Sequence, residues 1–305
     1  MALGAALASP AGAATLLDYS VYSLGNYSSN NGGTTVAGRV AAAGDVRINS
    51  ENIGGGLTKA DNGTATVIAG GNLSYDNSTL KYGNAVYGGS NNSGKWVQAQ
   101  TPNGSIIQGN PLDFGALNRT AAGYSASLAG LGANGIFSSR HGAGTLTASS
   151  GGLNVFNLTD KDLSSLSKLT LVGDSGGKVV INIDASSFSK HLEFNLGGFA
   201  ADSVLLNFYN ATSLDLQGWK LGGSLLAPDA AITLRGGNIL GNIVAGDFKS
   251  AGANVSGKAY SGYLDAAGIS AIPEPETWLM MLAGFTLVGI MLRRRRRLEV
   301  ASVLS

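Results

Sequence analysis

The sequence predicts a mainly β chain, and three observations support this prediction. Glycine accounts for 46 of the 305 residues, roughly twice its usual share. Charged residues make up 13% of the chain, against a common value of roughly 25%. Short apolar runs alternate with turns rich in glycine and asparagine, which tolerate left-handed backbone angles. Few charges, many tight turns and few helix-forming residues together favour a fold built of short strands.

Similar strand-and-turn pieces recur near both ends of the body. GRVAAAGDV at 38–46, TVIAGGNL at 66–73 and NAVYGGS at 84–90 each place a brief β run before a glycine turn. The same shape returns in GSLLAPDAAITL at 223–234, GNIVAGDF at 241–248 and GKAYSGYL at 257–264. Successive apolar centres are 16 to 19 residues apart, near the length of one coil of a β-solenoid. Because the spacing varies, we predict an irregular β-solenoid, with a jelly roll or a sandwich as the alternative.

Individual strands are predicted from apolar runs and from alternation of apolar and polar residues. In the first part of the chain they fall at 19–24, 35–40, 45–48, 66–69 and 85–87, and residues 91–109 form a polar loop. In the second part they fall at 153–158, 168–172, 178–183, 192–196, 204–208 and 214–216.

One helix separates the two groups of strands. Apolar residues recur at helical spacing between Phe114 and Leu131, which predicts an amphipathic helix packed on the β body at roughly 112–131. Asp113 is the predicted N-cap, and Gly132 is the predicted end of the helix.

The two ends of the chain differ in composition from the body, which is predicted to span 18–264. Residues 1–14 are small and apolar and contain an A-x-A pattern at 11–13. We interpret them as the remnant of a secretory signal peptide whose positively charged start lies upstream. An Ala/Gly linker at 265–272 leads into the C-terminal tail.

The tail has three parts in a fixed order. The motif Pro273, Glu274, Pro275 precedes an uncharged apolar run at 277–292. That run predicts a transmembrane helix, although it is shorter than the roughly 20 residues of a full span. A basic block follows, and it would remain in the cytoplasm: Arg293, Arg294, Arg295, Arg296 and Arg297. The alternative is a buried core helix followed by a solvated run of charges.

This tail at 273–297 resembles the PEP-CTERM sorting signal of Gram-negative bacteria. In that family a membrane-embedded exosortase recognises the signal and removes the helix, and the family is associated with producers of exopolysaccharide. The resemblance implies an exported protein that is anchored transiently in the inner membrane, with its C-terminus in the cytoplasm. It also implies a final location at the cell surface or outside the cell.

A second resemblance covers most of the body, from about residue 18 to residue 264. The segments YSVYSLGNYS, GRVAAAGDV, LLNFYNATSLDL and GGSLLAPDAAITLRGGNILGNIVAG are similar to the choice-of-anchor A domain of exported proteins. The last segment, with a helix beside a β body, also resembles the ice-binding β-solenoid fold. The choice-of-anchor A family has no settled biochemical activity, so the resemblance implies a placement and a fold.

Charge and residue content indicate which functions to exclude. The chain has a formal charge of +1, and the tail from Pro273 carries five arginines and three glutamates, which leaves the body near −1. A near-neutral body lacks the basic patch that nucleic-acid binding requires. The chain contains no cysteine, and it shows no nucleophile elbow, phosphate loop or zinc-ligand spacing. His141 and His191 are predicted to be solvated. We therefore predict no cofactor, no metal and no enzymatic activity.

Aromatic residues supply the candidate carbohydrate contacts. Exposed aromatic rings can stack on sugar rings, and four lie within one stretch: Tyr75, Tyr82, Tyr87 and Trp96. The alternative is that most of them are partly buried in the body.

The function predicted from the sequence is therefore that of a structural or adhesive surface protein associated with exopolysaccharide. One alternative is a polysaccharide-degrading enzyme on a β-solenoid, which requires two or more carboxylates that converge on one face. A second alternative is an ice- or surface-binding protein, which requires a flat, regular face of Thr, Ser and Ala. Thr147 and Thr233 are too isolated in the sequence to indicate such a face.

Overall fold

The computed structural model describes residues 15–30, 33–94, 104–149 and 151–262. The chain divides into two compact units, Met1–Gly262 and Tyr263–Ser305, and the described residues belong to the first. The predictions of a mainly β body and a single long helix are confirmed within them. No helix in these ranges is long and apolar enough to cross a bilayer. The predicted signal-peptide remnant, linker, sorting tail and transmembrane helix at 277–292 all lie outside the described residues.

An N-terminal block of short strands opens the body. Its strands are β1 (Val21–Ser23), β2 (Tyr27–Ser29), β3 (Thr34–Val36), β4 (Val40–Ala42), β5 (Val46–Asn49), β6 (Glu51–Ile53), β7 (Ala65–Ala69), β8 (Leu73–Asp76), β9 (Thr79–Leu80), β10 (Asn84–Tyr87) and β11 (Ile106–Gln108). Short 3-10 helices occupy Leu16–Asp18 and Lys59–Asp61. The helix α1 (Phe114–Ala129) then leads to the second block.

The C-terminal block contains longer strands. They are β12 (Ile136–Arg140), β13 (Ala143–Thr147), β14 (Leu153–Thr159), β15 (Lys168–Val172), β16 (Lys178–Asp184), β17 (Ser187–Ser189), β18 (Glu193–Asn195), β19 (Val204–Asn207), β20 (Ser213–Gln217), β21 (Lys220–Leu221), β22 (Ser224–Arg235), β23 (Asn238–Ile239), β24 (Ile243–Ala251) and β25 (Asn254–Val255). A short helix α2 (Asp160–Ser164) follows β14, and a 3-10 helix occupies Ala201–Ser203.

The strands stack in three rows. Row A has the order β11-β10-β7-β4-β1-β24-β22-β19-β16-β14, and row C has the order β12-β13-β15-β18-β21-β23-β25-β3-β6-β9. Row B contains β8, β5, β2, the second halves of β24 and β22, β20 and β17. All these neighbours are parallel except β12 and β13, which form an antiparallel hairpin. Each coil of the chain therefore contributes one strand to each row along most of the stack.

The order of strands in space differs from their order in the chain. The strand β1 pairs with β24 on one side and with β4 on the other, and β25 pairs with β3. The N-terminal block therefore begins in the middle of the stack and builds towards one end. The C-terminal block begins at the opposite end and builds back to the middle. The helix α1 connects the two outer ends.

Apolar side chains fill the space enclosed by the three rows. Val21, Val40, Val67 and Ile243 of row A point inward and are fully buried in one continuous core. Outward side chains of row A are buried as well, because α1 covers this face. They include Tyr22, Ala41, Ile68, Val180, Leu205 and Val244. Row A is therefore mostly apolar on both faces, as expected for strands buried on both sides, and its buried polar side chains include Asn182 and Asn207.

The two ends of α1 are held by polar side chains. Asp113 caps the N-terminus by accepting from the N–H of Ala116 at 2.9 Å. The hydroxyl of Tyr22 donates to Asn118 Oδ1 at 2.6 Å, and Asn118 donates to the Leu24 carbonyl at 3.1 Å. These bonds attach the first half of the helix to the N-terminal block.

The second half of α1 rests on an asparagine ladder in row A. Asn182 donates to the Leu128 carbonyl at 2.7 Å and to Asn157 Oδ1 at 3.0 Å. Asn207 donates to Asn182 Oδ1 at 2.9 Å and accepts from the Ser125 hydroxyl at 2.6 Å. Helix carbonyls near a C-terminus lack partners within the helix. The ladder gives the Leu128 carbonyl a buried side-chain donor in addition to the Leu131 N–H, which lies 3.1 Å away.

A second ladder follows the corner between rows A and B. The N–H of Asn26 donates to Asp247 Oδ1 at 2.6 Å, and the N–H of Asp45 donates to Asn26 Oδ1 at 2.9 Å. The N–H of Asn72 donates to Asp45 Oδ1 at 2.7 Å in the next coil. A Cβ at Gly44 would lie 2.5 Å from Asn26 Oδ1, which explains why glycine precedes the capping residue. This corner is the physical basis of the repeated Gly-Asp and Gly-Asn pairs in the sequence.

Several predicted boundaries require correction. The single strand predicted at 35–40 is two strands, β3 and β4, because the chain turns at Ala37–Arg39 to pass from row C to row A. The loop predicted at 91–109 contains β11, whose residues pair in parallel with β10. The helix ends at Ala129 with Gly130 as its C-cap, two residues before the predicted Gly132. The predicted cap at Asp113 is confirmed.

One acidic side chain is buried inside the body. Glu51 points inward from β6, is 1% exposed, and accepts a hydrogen bond from the Tyr27 hydroxyl. Burial raises the pKa of the Glu51 carboxyl from 4.5 to about 7, while hydrogen bonds from Ser29 and Tyr27 act in the opposite direction. The folded protein therefore holds the Glu51 proton more tightly than the unfolded chain does.

Stability is expected to depend on pH through Glu51. Because the pKa of Glu51 is higher in the folded protein than in the unfolded chain, protonation of its carboxyl stabilises the fold. This contribution is fully present below about pH 4.5 and is lost as the pH rises through about 7. The shift corresponds to about 3 kcal/mol of unfolding free energy between these limits. We expect Glu51→Gln to flatten the pH dependence by this amount in urea unfolding measured from pH 4 to pH 8. Glu193→Gln, at an exposed site, is the control. A wild-type profile retained by Glu51→Gln would contradict the assignment.

The asparagine ladder is expected to contribute strongly to stability. Asn182→Ala removes three hydrogen bonds, to the Leu128 carbonyl, to Asn157 Oδ1 and from Asn207. The Leu128 carbonyl keeps its bond from the Leu131 N–H at 3.1 Å. Each lost hydrogen bond costs about 0.5–1.5 kcal/mol, so we expect a loss of about 2–3 kcal/mol in urea unfolding. Asn52→Ala removes an exposed amide of the same type, and we expect a change within about 0.5 kcal/mol. Equal losses in the two variants would contradict the proposed role of the ladder.

Candidate functional site

Two of the three rows present open faces. The helix α1 covers the outer face of row A, so the outward side chains of rows B and C are the surfaces available to a partner. On both rows, alternate residues point into the core and the intervening residues point outward. The chemistry of these outward side chains determines what each face can bind.

The face of row B is charged along its centre. Its central column contains, in register, Ser189, Asp215, Thr233, Lys249, Ser28, Arg47 and Ser74. The guanidinium of Arg235 lies 3.7 Å from the Asp215 carboxylate across neighbouring strands. Charged groups of both signs interrupt the small polar residues, so this face lacks the uniform surface that ice binding would require.

The face of row C carries a column of neutral hydrogen-bonding side chains. We call the following five residues the neutral strip: Asn238, Asn254, Thr35, Asn52 and Thr79. Each is directly opposite the next across paired strands, so the strip crosses the junction between the two blocks. Towards the other end the column becomes charged, with Lys220, Glu193 and Lys168.

The backbone fixes the spacing of the neutral strip. Neighbouring strands lie about 4.8 Å apart, so amide and hydroxyl groups repeat at that interval along a nearly straight line. Asn254, Asn52 and Thr79 are exposed, and Asn238 and Thr35 are half-buried. The residue after each of them is a buried Val, Ile or Leu that anchors the strand in the core: Ile239, Val255, Val36, Ile53 and Leu80. A rigid row of groups that donate and accept hydrogen bonds is suited to a regular, uncharged partner.

The structure does not bring the predicted aromatic residues together on one surface. The prediction that Tyr75 contacts carbohydrate is wrong, because this residue points inward from β8 and is fully buried. Tyr87 is half-buried against the core, and Tyr82 lies in the turn before β10 with the Lys81 amine 5.9 Å from its ring centroid. Trp96 lies outside the described residues, as do Pro273, Glu274, Pro275 and the arginines at 293–297.

The neutral strip was missed because asparagine and threonine are also common in turns. A signal was nevertheless present in the sequence. Each strip residue immediately precedes a β-branched or leucine residue, in the pairs Asn-Ile, Asn-Val, Thr-Val, Asn-Ile and Thr-Leu. These two-residue alternations are too short to predict strands, because a strand of average length has about five or six residues.

The histidines and carboxylates of the described ranges lie apart from one another or pair locally. His141 and His191 are both exposed, as predicted, and His191 Nδ1 lies 3.1 Å from the Gln217 carbonyl oxygen. Asp162 accepts from the Thr159 N–H and hydroxyl at the start of α2. No cluster of three or more His, Asp or Glu side chains able to hold a metal ion occurs in these ranges. The expectation that the chain is not an enzyme stays a prediction.

The parallel rows and their two open faces define a β protein that presents regular strand surfaces to solvent. Residues 12–256 match the protein family described as "Putative Ice-binding-like adhesive domain", and the chain belongs to this family. Residues 271–297 match the PEP-CTERM protein-sorting motif, which confirms the predicted sorting signal. The sorting motif and the adhesive domain together support an exported surface protein. Membership of the choice-of-anchor A family stays a prediction.

Two solved structures are similar to the chain. One is an ice-binding protein from an Antarctic Biological Consortium, with 15% identity, a TM-score of 0.44, and coverage of 83% of this chain and 94% of that chain. The other is an ice-binding protein from an Antarctic bacterium of the Flavobacteriaceae, with 12% identity, a TM-score of 0.30, and coverage of 78% and 77%. No match was found among curated proteins.

Proposed function

We propose that the protein is an adhesive cell-surface protein that binds neutral segments of exopolysaccharide through the neutral strip on row C. The single observation that carries this proposal is the uninterrupted register of five uncharged amide and hydroxyl side chains on a rigid face. Membership of an adhesive-domain family supports the general function. The parallel rows support our interpretation of the body as an irregular β-solenoid, which would keep the strip straight.

The match between strip and polymer rests on hydrogen bonding. Sugar hydroxyls both donate and accept, as asparagine amides do, and a regular polymer repeats these groups along its length. Several weak hydrogen bonds formed in register can together supply the affinity, so no deep pocket is required. A near-neutral strip also avoids the desolvation cost that charged side chains would add. Binding of this kind is expected to depend little on salt concentration.

Replacement of the central strip residues tests the proposal. We expect Thr35→Ala, Asn52→Ala and Asn254→Ala, combined in the secreted protein, to lower retention on the producer's purified exopolysaccharide at least about tenfold. Loss of three hydrogen bonds at about 0.5–1.5 kcal/mol each justifies this magnitude. The matched control combines Ser28→Ala, Thr233→Ala and Lys249→Ala on row B, and we expect it to retain wild-type binding. Equal retention by both triple variants would exclude the strip as the binding site.

Binding to ice or another ordered surface is the second candidate. The family description favours it, and so does the regular spacing of the strip. Inhibition of ice recrystallisation by the wild-type protein, lost in the strip variant and kept in the row B variant, would favour ice over polysaccharide. The two assays use the same variants, so their results separate the two partners directly.

Delivery to the surface depends on the C-terminal tail. We propose that exosortase recognises Pro273, Glu274 and Pro275 while the run at 277–292 spans the inner membrane and the arginines at 293–297 remain in the cytoplasm. Cleavage then releases the body to the cell surface or the extracellular matrix. The sorting motif found at 271–297 supports the processing step.

We expect replacement of Pro273, Glu274 and Pro275 by alanine to leave the uncleaved precursor in the membrane fraction. Immunoblots of membrane and culture medium would measure the ratio of precursor to mature protein. The control replaces Gly268, Ile269 and Ser270 of the linker by alanine, which keeps the tail intact and should preserve release. Normal release of the Pro273–Pro275 variant would show that sorting does not depend on this motif.

A further inference from the structure

The open face of row B carries two neighbouring columns of opposite charge. The first follows the corner with row A, and we call it the acidic column: Asp247, Asn26, Asp45 and Asn72. The second lies two residues further along the same coils, and we call it the basic column: Lys249, Ser28, Arg47 and Ser74. In both columns a charged residue alternates with an uncharged one, and the charges of the two columns fall in the same two coils.

The charged side chains of both columns are accessible to a partner. Four of them are exposed: Asp247, Lys249, Asp45 and Arg47. Neither Lys249 nor Arg47 forms an ion pair within the described residues. Each aspartate uses Oδ1 to accept a backbone N–H, from Asn26 at 2.6 Å and from Asn72 at 2.7 Å. These bonds hold the carboxylates in position, and a carboxylate has a second oxygen that can accept from another partner.

The two columns are complementary to the same columns of a second copy. A two-fold axis that runs parallel to the stack, between the columns, places the acidic column of each copy opposite the basic column of the other. Both columns repeat at the strand spacing of about 4.8 Å, so their charges match in register. Asp247 then faces Lys249 of the second copy, and Asp45 faces Arg47 of the second copy. Because the arrangement is symmetric, four intermolecular ion pairs form.

The charge pattern selects this parallel arrangement over an antiparallel one. An axis perpendicular to the stack would place each column opposite itself, with acidic residues facing acidic residues and basic residues facing basic residues. Like charges directly opposite each other are destabilising. A shift by one strand would only bring charged residues opposite uncharged ones, so it would gain no ion pair.

The columns continue into the C-terminal block without a conflict of charge. On the acidic side the next residues are Ala231, Ser213 and Ser187, and on the basic side they are Thr233, Asp215 and Ser189. The charge of Asp215 is balanced within its own copy by Arg235, whose guanidinium lies 3.7 Å away. In the parallel arrangement Asp215 would face the neutral Ser213 of the second copy.

Glycines at the corner allow the two faces to approach. Every residue of the acidic column follows a glycine: Gly246, Gly25, Gly44 and Gly71. A Cβ at Gly25 would lie 2.5 Å from Asp247 Oδ1, so a side chain there would displace the carboxylate. No side chain therefore projects from these positions beside the acidic column.

We propose that two copies of this chain associate side by side and in parallel through the acidic and basic columns of row B. Two columns across seven strands cover roughly 400 Å² of each copy. This is about half of the roughly 800 Å² per partner of a stable complex, so the association is weak and requires the high local concentration of a cell surface. In dilute solution the body is monomeric, and the row B variant therefore remains a suitable control for the neutral strip. Row C stays open in both copies, so the pair presents two neutral strips.

Sedimentation of the secreted protein over a concentration series tests this proposal. At low salt we expect the average mass to rise above that of the monomer with concentration, and screening at high salt should reverse this rise. Arg47→Glu combined with Lys249→Glu is expected to raise the dissociation constant at least about tenfold, because four attractions become repulsions. The matched control combines Lys168→Glu and Lys220→Glu on row C, which changes the net charge equally and should associate as the wild type does.

A mixture of two variants separates direct pairing from a general effect of charge. Asp45→Asn combined with Asp247→Asn keeps the Oδ1 acceptors at the corner and removes both acidic charges, so we expect weaker association than in the wild type. Mixed with the Arg47→Glu, Lys249→Glu variant, it should associate more tightly than either variant alone, because two of the four ion pairs are restored. Circular dichroism would verify that each variant is folded.

A single cysteine tests the direction of the pair, because the chain contains no cysteine of its own. Spin labels attached to Ser189→Cys would lie at the same level on the two copies of a parallel pair. An antiparallel pair centred on Ser28 would separate these labels by eight strand spacings, about 38 Å.

Three results would overturn the proposal. The first is a protein that remains monomeric at low salt up to the highest concentration at which it is soluble. The second is association that survives charge reversal on row B, or that is lost equally in the row C control. The third is a separation of the labels that matches the antiparallel pair.

Discussion

The backbone pairing of β1 with β24 is the contact on which the body depends, because it joins two blocks into one stack. Val21, Tyr22 and Ser23 pair with Ile243, Val244 and Ala245. The Ser23 hydroxyl lies 2.9 Å from the Gly246 carbonyl, a contact between residues 223 positions apart. We call this pairing of residues 21–23 with residues 243–245 the seam. Without the seam each block would expose an unpaired strand edge, which is a site of aggregation. The entropic cost of closing a loop of more than 200 residues is high. We therefore infer that the seam forms late and that folding is slow.

Asparagine and aspartate serve three different purposes in the stack, and their position determines which. Beneath α1, Asn182 and Asn207 are buried and bond to each other and to helix carbonyls. At the corner between rows A and B, Asn26 and Asp45 accept from the backbone of neighbouring coils. On row C the same amide faces solvent. In each case the repeat of the coil places like groups at a constant interval. The high asparagine content therefore reflects the architecture as much as any ligand.

Local features of this fold were predictable, and long-range ones were not. The spacing of Leu117, Ala121 and Leu128 predicted α1 correctly because helix contacts are local, although buried Ser125 was missed as a polar residue. The burial of Tyr75 could have been predicted, because Tyr75 lies two residues after Leu73 in β8 and therefore points to the same side of the strand. The seam could not be predicted from the sequence, because a pairing between residues more than 200 positions apart leaves no local pattern.

The position of the last described residues has a mechanical consequence. The strand β25 lies between β23 and β3 in the middle of row C, and Ser261 then bonds to the Asp202 carbonyl at 2.7 Å. A pulling force applied through Gly262 would therefore reach a coil that is held by neighbours on both sides. Peeling a terminal strand breaks one interface at a time, whereas extracting a central strand must break two together. An adhesive body loaded in this way would resist tension better than one loaded from the end of its stack.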